Sequence, residues 1–275
     1  MKATTDDFRV IRPGDEVISM LTCYDAVTAS ILNEQNIDIL LVGDSLGTNV
    51  MGYPNERHVT VHDIAHYTRV VRRGAPNAYI LADLPYATYQ SAEQAVETAT
   101  TVRQSGADAV KVEGAIPEII TSIVEAGIAV CGHLGYTPQI DDKVGVKGRS
   151  VDTAVALLNA SISLAQSGAF MLVLELIPEE LAEEITRRIT IPTIGIGSGR
   201  FTTGQVLVIN DLIGLTERTL RHSARYGEVR ATIAQAVAQH RDALHNRAFP
   251  DEQNSSHMEP GKLDDFLKRS EHTRP

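Results

Sequence analysis

Short apolar runs alternate with helical patterns along most of this chain, and that repetition constrains the fold more than any other feature. The runs are continuous rather than alternating in polarity, which is typical of strands covered on both faces. They lie at residues 17–22, 38–43, 78–82, 108–113, 128–133, 170–175, 192–197 and 205–209. Eight strands with intervening helices predict a single-domain α/β fold, a (β/α)8 TIM barrel, with an open doubly wound sheet as the alternative.

Helix ends are marked in several of the connecting segments. Residues 91–105 open with Ser91, Glu93 and Gln94, which suit a first turn. Residues 178–188 begin with proline and two glutamates and end with two arginines, the charge order that a helix dipole favours. Three helices are expected to end at glycines in the left-handed conformation, namely Gly106, Gly127 and Gly168.

The remaining organisation is predicted from composition along the chain. A last helix is expected near residues 227–243, so that the barrel domain covers residues 1–249. The segment 250–275 is polar, and we interpret it as a flexible tail or as an arm that contacts a partner.

Charge and composition exclude several classes of function. The 275 residues carry a formal net charge of −10 without a block of Lys or Arg, which argues against nucleic acid or an anionic membrane as partner. The sequence has no apolar run long enough for a membrane span, and its N-terminus is too polar and acidic for a signal peptide. The two cysteines, Cys23 and Cys131, show no metal-ligand or disulfide spacing. We therefore expect a cytoplasmic protein.

Ionisable residues stand at the carboxyl ends of five consecutive predicted strands. They are Asp44, Asp83, Glu113, His133 and Glu175. In a barrel these ends lie at one face, where active sites form. Converging carboxylates repel one another unless a cation or a shared proton is present, and oxygen ligands favour Mg²⁺. The sequence thus predicts a metal site at this face, whereas each carboxylate taken singly is compatible with a helix cap or a salt bridge.

Four further features of these strand ends have two interpretations each. Lys111 shares a strand face with Glu113 and suits either a substrate carboxylate or a structural ion pair. Glu175 follows five mostly large apolar residues and suits either a general base or a helix start. His133 suits either a hydrogen bond to a ligand or a satisfied core position. The glycines of residues 195–199 permit either an anion-binding nest or close packing.

Nine motifs in order make the sequence similar to a known family. They are LTCYDAVTA, LLVGDSLG, HVTVHDIAHYTRVVRRGAPNA, ADLPY, GADAVKVEG, VCGHLGYTPQ, LVLELIPEELA, IPTIGIGSG and GQVLV, spread between residues 17 and 226. The chain resembles the ketopantoate hydroxymethyltransferase family. The resemblance implies a Mg²⁺-dependent (β/α)8 barrel that transfers a one-carbon unit from 5,10-methylenetetrahydrofolate to 3-methyl-2-oxobutanoate in pantothenate synthesis. It also implies a homo-oligomer, often a decamer.

The resemblance also implies roles for individual residues. Asp44 and Asp83 are metal ligands, and Glu113 completes the metal site, through water or directly. Glu175 is the proton acceptor. The expected substrate-binding residues are Asp44, Ser45, Asp83 and Lys111, with His133 and Tyr24 lining the pocket.

Some segments differ from the family pattern. The segment 140–149 is shorter and more charged than the Gly-rich loop of the family, and Asn210–Asp211 replaces a His–Asp pair. Such segments lie at the barrel mouth, so a paralogue acting on another 2-oxo acid remains an alternative. A C–C or P–C lyase or mutase of the related barrels is a second alternative. Those lyases usually carry a reactive cysteine in a mouth loop, whereas Cys23 and Cys131 lie at strand ends.

Overall fold

A computed structural model describes residues 3–12, 14–217 and 220–271. Eight parallel strands form a closed barrel in chain order, with β8 paired to β1. The strands are β1 Ile18–Thr22, β2 Ile39–Val42, β3 Tyr79–Asp83, β4 Ala109–Glu113, β5 Ala129–Gly135, β6 Met171–Glu175, β7 Thr193–Ile196 and β8 Gly204–Leu207. The predicted (β/α)8 barrel is confirmed, the open sheet is excluded, and every strand end falls within two residues of its predicted position.

The described residues form eleven α-helices, and a helix follows most of the strands. The helices are α1 Thr5–Arg9, α2 Ala26–Glu34, α3 Leu46–Asn49, α4 Val61–Gly74, α5 Ala92–Gln104, α6 Pro117–Glu125, α7 Val151–Gln166, α8 Glu179–Arg188, α9 Ile209–Leu212, α10 Val229–His245 and α11 Lys262–Ser270. The expected helix between β7 and β8 is absent, since the fully described residues 197–203 form turns instead. Two glycines there, Gly197 and Gly199, adopt positive φ, which breaks a helix. None of the described helices has the length and apolarity needed to cross a membrane.

The predicted helix ends are confirmed where the sequence marked them. The Ser91 side chain accepts a hydrogen bond from Gln94 N at the start of α5. Helix α8 has two glutamates in its first turn and two arginines in its last. Three glycines that follow helices have the expected positive φ, namely 112° at Gly106, 79° at Gly127 and 97° at Gly168. Local capping chemistry thus sets these boundaries.

The core lies in two layers, one inside the barrel and one between the strands and the helices. Helix α1 closes the amino end of the barrel. Its Phe8 packs edge-on against Tyr79 with ring centroids 4.9 Å apart, and Thr5 Oγ1 lies 2.8 Å from the Tyr79 hydroxyl. The barrel interior is therefore filled at this end, and polar side chains concentrate at the other.

The chain divides into two compact units, residues 1–227 and 228–275. Helix α10 lies in the second of these units, and the domain boundary expected at residue 249 stays a prediction. That unit also contains α11 within the segment interpreted as a tail. Asp264 and Asp265 in the first turn of α11 and Lys268 and Arg269 in its last turn complement the helix dipole. The flexibility of residues 250–275 stays a prediction.

Candidate active site

The ionisable residues at the ends of β2 to β6 converge on one cavity. The cavity has a volume of about 360 Å³ and lies at the carboxyl ends of the strands. Its lining includes Asp44, Asp83, Lys111, Glu113, His133 and Glu175. Strand alternation explains the convergence on β4, where Ala109 belongs to the core inside the barrel while Val110 and Val112 pack against the helices. The residues with the parity of Ala109 therefore point inward.

Lys111 is the cation at the centre of this cluster and is buried. Its Nζ lies 3.0 Å from Asp83 Oδ1, 3.7 Å from Glu113 Oε1 and 3.4 Å from His133 Nδ1. Burial lowers the pKa of Lys111, but the negative charges of Asp83 and Glu113 outweigh burial and raise that pKa above its ordinary value. The predicted shared face of Lys111 and Glu113 is confirmed, and the structural ion pair exists.

His133 lies between two carboxylates. Its Nδ1 is 3.2 Å from Glu113 Oε1, and its Nε2 is 3.3 Å from Glu175 Oε2, although the latter contact lacks hydrogen-bond alignment. Burial and the charge of Lys111 lower the pKa of His133, but Glu113 and Glu175 raise it to about 9. The pKa of Glu113 is lowered in turn, because the His133 and Lys111 charges outweigh its burial. The His133 imidazolium therefore lies between the carboxylates of Glu113 and Glu175.

Asp44 is buried in the cavity wall and does not act as a helix cap. Helix α3 begins after Ser45, and no side-chain hydrogen bond caps it. The Asp44 backbone N donates to Asp83 Oδ2 at 3.0 Å. Burial, followed by the charges of Asp83 and Glu113, raises the pKa of Asp44 well above its ordinary value. The site therefore has an excess of negative charge that a cation would neutralise.

The donor set fits a hard cation such as Mg²⁺. Asp83 Oδ1 is buried and, within the described residues, makes no aligned hydrogen bond, although Lys111 is nearby. Among those same residues, no three His, Cys, Asp or Glu side chains are arranged to hold a metal by themselves. Mg²⁺ usually takes one or two carboxylates and completes its shell with water and substrate oxygens, so Asp44 and Asp83 suffice. Glu113 is engaged by His133 and by Gln139 N at 3.0 Å.

Tyr24 and Ser45 form a pair at the β2 side of the cavity. The Tyr24 hydroxyl lies 2.8 Å from Ser45 Oγ, and Ser45 lines the cavity. Tyr24 is buried behind Ser45 rather than placed in the cavity wall. Burial raises the pKa of Tyr24, so its hydroxyl is protonated and available as a hydrogen-bond donor. Tyr24 therefore does not line the cavity itself, but its hydrogen bond to Ser45 Oγ orients the Ser45 side chain, which does.

Two residues of the site, Gln139 and Tyr89, were missed by sequence reasoning. Gln139 Nε2 donates to Asp44 Oδ2 at 2.7 Å, and the Tyr89 hydroxyl donates to Gln139 Oε1 at 2.5 Å. Both residues are uncharged and lie outside the strands, 50 positions apart in the chain. The sequence feature that could have identified Gln139 is its position soon after β5, at the face where the ionisable residues were expected.

The glycine-rich turn after β7 packs against the side chain of Glu179. The Glu179 carboxylate at the start of α8 accepts from Arg200 N at 3.1 Å and from the Arg200 guanidinium at 3.2 Å. A Cβ at Gly199 would collide with the Glu179 side chain. The predicted glycine requirement is thus explained by close packing against this carboxylate.

The segment 140–149 is tied to the barrel by Arg57. The Arg57 guanidinium donates to Gln139 O at 2.9 Å and to Ile140 O at 3.1 Å, and it pairs with Asp142 at 3.0 Å. Val144 of the segment lines the cavity. The segment therefore forms part of the cavity wall, as expected for a mouth loop.

Fold and site together define the class of protein, a (β/α)8-barrel enzyme with a buried acidic site at the carboxyl ends of its strands. The profile described as ketopantoate hydroxymethyltransferase matches residues 2–252. The chain belongs to the ketopantoate hydroxymethyltransferase family.

Two relatives illustrate how far the similarity extends. The 3-methyl-2-oxobutanoate hydroxymethyltransferase of Chloroflexus aurantiacus is 43% identical over 269 residues, which cover 96% of each chain. The enzyme of the same name from Thermotoga neapolitana is 45% identical over 248 residues, covering 88% of this chain and 92% of the relative. The similarity therefore includes both the strands and the loops of the barrel.

Solved structures with distant sequences share the fold. The phosphoenolpyruvate phosphomutase of Streptomyces platensis superposes with a TM-score of 0.60 at 13% identity, covering 99% of this chain and 100% of that chain. At this identity the likeness establishes the barrel architecture alone.

Proposed function

We propose that this chain transfers a hydroxymethyl unit from 5,10-methylenetetrahydrofolate to 3-methyl-2-oxobutanoate, giving 2-dehydropantoate for pantothenate synthesis. The observation that carries the proposal is the convergence of Asp44, Asp83, Lys111, Glu113, His133 and Glu175 on one cavity. Family membership and the names of the relatives supply the substrate and the reaction.

The 2-oxo acid binds in the part of the cavity that Asp44, Asp83 and Lys111 line. A Mg²⁺ held by Asp44 and Asp83 supplies Lewis-acid polarisation of the substrate when it is bound. Lys111 provides the positive charge opposite the substrate carboxylate, and Ser45 donates a hydrogen bond from the β2 side. Glu113 keeps Lys111 and His133 charged and in place, which fits a role for Glu113 at the metal through water rather than by direct ligation.

Glu175 removes the C3 proton of the bound 2-oxo acid. Its carboxylate lies at the cavity and is partly open to solvent, with a side-chain exposure of 17%. The His133 imidazolium lies 3.3 Å from Glu175 Oε2 and places a positive charge beside the base. His133 therefore orients the base, and Glu175 accepts the proton.

The folate, the assembly and the location rest on the resemblance. We assign the one-carbon donor to 5,10-methylenetetrahydrofolate, because the family carries out hydroxymethyl transfer. We assign a homo-oligomer, with the decamer as the expected form, and a cytoplasmic location without nucleic-acid or membrane partners.

Proton exchange in D₂O separates the two halves of this reaction. The chain with Mg²⁺ and 3-methyl-2-oxobutanoate should lose the C3–H signal by NMR without folate and should form 2-dehydropantoate only when 5,10-methylenetetrahydrofolate is added. A panel of other 2-oxo acids tests the paralogue alternative. Exchange and product formation with a different 2-oxo acid, and neither with 3-methyl-2-oxobutanoate, would overturn the assigned substrate.

A further inference from the structure

Gln139 connects the Asp44 carboxylate to the wall of the barrel. Its side chain is almost fully buried, with 1% exposure. Its Nε2 donates to Asp44 Oδ2 at 2.7 Å and to the Leu84 carbonyl at 2.9 Å, and its Oε1 accepts from the Tyr89 hydroxyl at 2.5 Å. Both ends of the amide are therefore hydrogen-bonded, as buried polar groups require.

The hydrogen-bond partners of the Gln139 side-chain amide permit only one placement of its oxygen and its nitrogen. The Leu84 carbonyl can only accept, so it must face the NH₂ end of the amide. The Tyr89 hydroxyl accepts a hydrogen bond from Glu113 N at 3.4 Å, and its own proton is directed to Gln139 Oε1. The remaining N–H of Gln139 is consequently aimed at Asp44, and Asp44 must present a lone pair to it.

From this network we infer that Gln139, held by Tyr89, is a positioning residue that fixes Asp44 in the orientation needed to bind a divalent cation. The inference rests on the proposed function, which places the cation at Asp44 and Asp83. A carboxylate already held by a donor loses little rotational freedom when it binds a metal, and groups that orient ligands in this way tune metal affinity.

The main chain of Gln139 makes a separate contact, which allows its side chain to be tested alone. Gln139 N donates to Glu113 Oε2 at 3.0 Å, and a side-chain replacement leaves this bond in place. Gln139→Met has a similar length but no amide donor. The matched control is Gln205→Met, which removes bonds from Gln205 Nε2 to Gly199 O at 2.9 Å and to Thr202 Oγ1 at 2.8 Å.

The experiment is a titration of the full chain with Mn²⁺, followed by electron paramagnetic resonance, with and without 3-methyl-2-oxobutanoate. We expect Gln139→Met to raise the Mn²⁺ Kd by about 10- to 100-fold, and Gln205→Met to leave it unchanged. Tyr89→Phe should weaken Mn²⁺ binding in the same direction, whereas Tyr79→Phe, at the amino end of the barrel, should not. The double variant of Gln139→Met and Tyr89→Phe should bind Mn²⁺ no more weakly than Gln139→Met alone, because Tyr89 acts through Gln139.

An unchanged Mn²⁺ Kd in a folded Gln139→Met overturns the inference, and so does a wild-type chain that binds no Mn²⁺ in either condition. If Gln139→Met does not fold, the test rests on Tyr89→Phe. An unchanged Mn²⁺ Kd in Tyr89→Phe then overturns the inference. Mn²⁺ binding is measured separately from turnover. The wild type could bind Mn²⁺ with the expected dependence on Gln139 and still form no hydroxymethylated product. That result would refute the proposed function and leave this inference standing.

Discussion

Asp44 and Asp83 are both buried at the cavity. Lys111 forms ion pairs with Asp83 and Glu113, while Asp44 accepts from the neutral Gln139, so a bound cation would offset the remaining negative charge. We predict that Asp44→Asn and Asp83→Asn each weaken Mn²⁺ binding by about 100-fold or more and abolish C3 exchange, since even outer partners of a metal contribute 10- to 100-fold. The control is Asp38→Asn, whose carboxylate accepts from Ser19 N at 2.8 Å at the other end of the barrel. Full activity of either site variant, or activity that survives a chelator, would disprove the metal site.

Glu175 is the base in the proposed reaction. We predict that Glu175→Gln slows C3 deuterium exchange by about 10²- to 10⁴-fold, the usual contribution of a general base. Binding of Mn²⁺ and of the 2-oxo acid, measured by calorimetry, should change by only a few-fold. Glu184→Gln on the outer face of α8 is the control. Unchanged exchange in Glu175→Gln would transfer the base role to another group of the cavity.

The two cysteines are poor nucleophiles because they are buried. Burial raises the pKa of Cys23 and of Cys131 to about 12. At pH 8 only about one thiol in 10⁴ is then ionised, and the fraction stays small at pH 9. We predict that a thiol reagent labels both residues only after denaturation. Rapid labelling of the folded chain at pH 8 would contradict this and would revive the lyase alternative.

At the residue scale, the sequence located charged groups better than the neutral ones that orient them. Asp83, Lys111 and Glu113 could be placed together because strand parity and strand ends are visible in the pattern. Gln139 and Tyr89 could not, since their contact depends on how two loops fold over the barrel mouth. The burial of Tyr24 behind Ser45 depends in the same way on side-chain packing.

At the scale of elements, Arg57 joins the short helical turn 56–58 to the segment 140–149. We predict that Arg57→Ala loosens this segment, because it removes three charge-assisted hydrogen bonds, two of them to the segment, worth on the order of 2 kcal/mol locally. Amide exchange of residues 140–147 should accelerate, and folate-dependent transfer should fall more than C3 exchange. The control Arg187→Ala removes a bidentate contact to Glu184 on the surface of α8. Equal losses of transfer and exchange would exclude a selective role for the segment.

Strands were predicted more accurately than the connections between them. Continuous apolar runs bounded by polar residues identify buried parallel strands such as β2 and β6 within a residue or two. The prediction of a helix between β7 and β8 was wrong, because Gly197 and Gly199 favour a turn there. The domain boundary expected at residue 249 stays a prediction, since the assignment of α10 depends on contacts that no local pattern reports.

At the scale of the whole molecule, the first unit exposes apolar side chains on two outer helices. Val27 and Ile31 on α2 are exposed, as are Val151 and Val155 on α7. Exposed apolar positions of this kind are common at interfaces between subunits. We predict that light scattering after gel filtration gives a mass several times the 29.9 kDa of the chain, with a decamer expected from the resemblance. A mass of one chain at micromolar concentration would contradict this.

The carboxylate at the β7–β8 turn also bears on the choice of ligand. Barrels often bind the phosphate group of a substrate at the loops after strands 7 and 8. In this chain the turn is already satisfied by Glu179, whose pKa is lowered by its bonds to Arg200. The Arg200 N–H, a donor that a phosphate could use at this turn, is therefore already bound by a carboxylate of the chain. A phosphate group would have to displace Glu179 from Arg200 before it could use this donor.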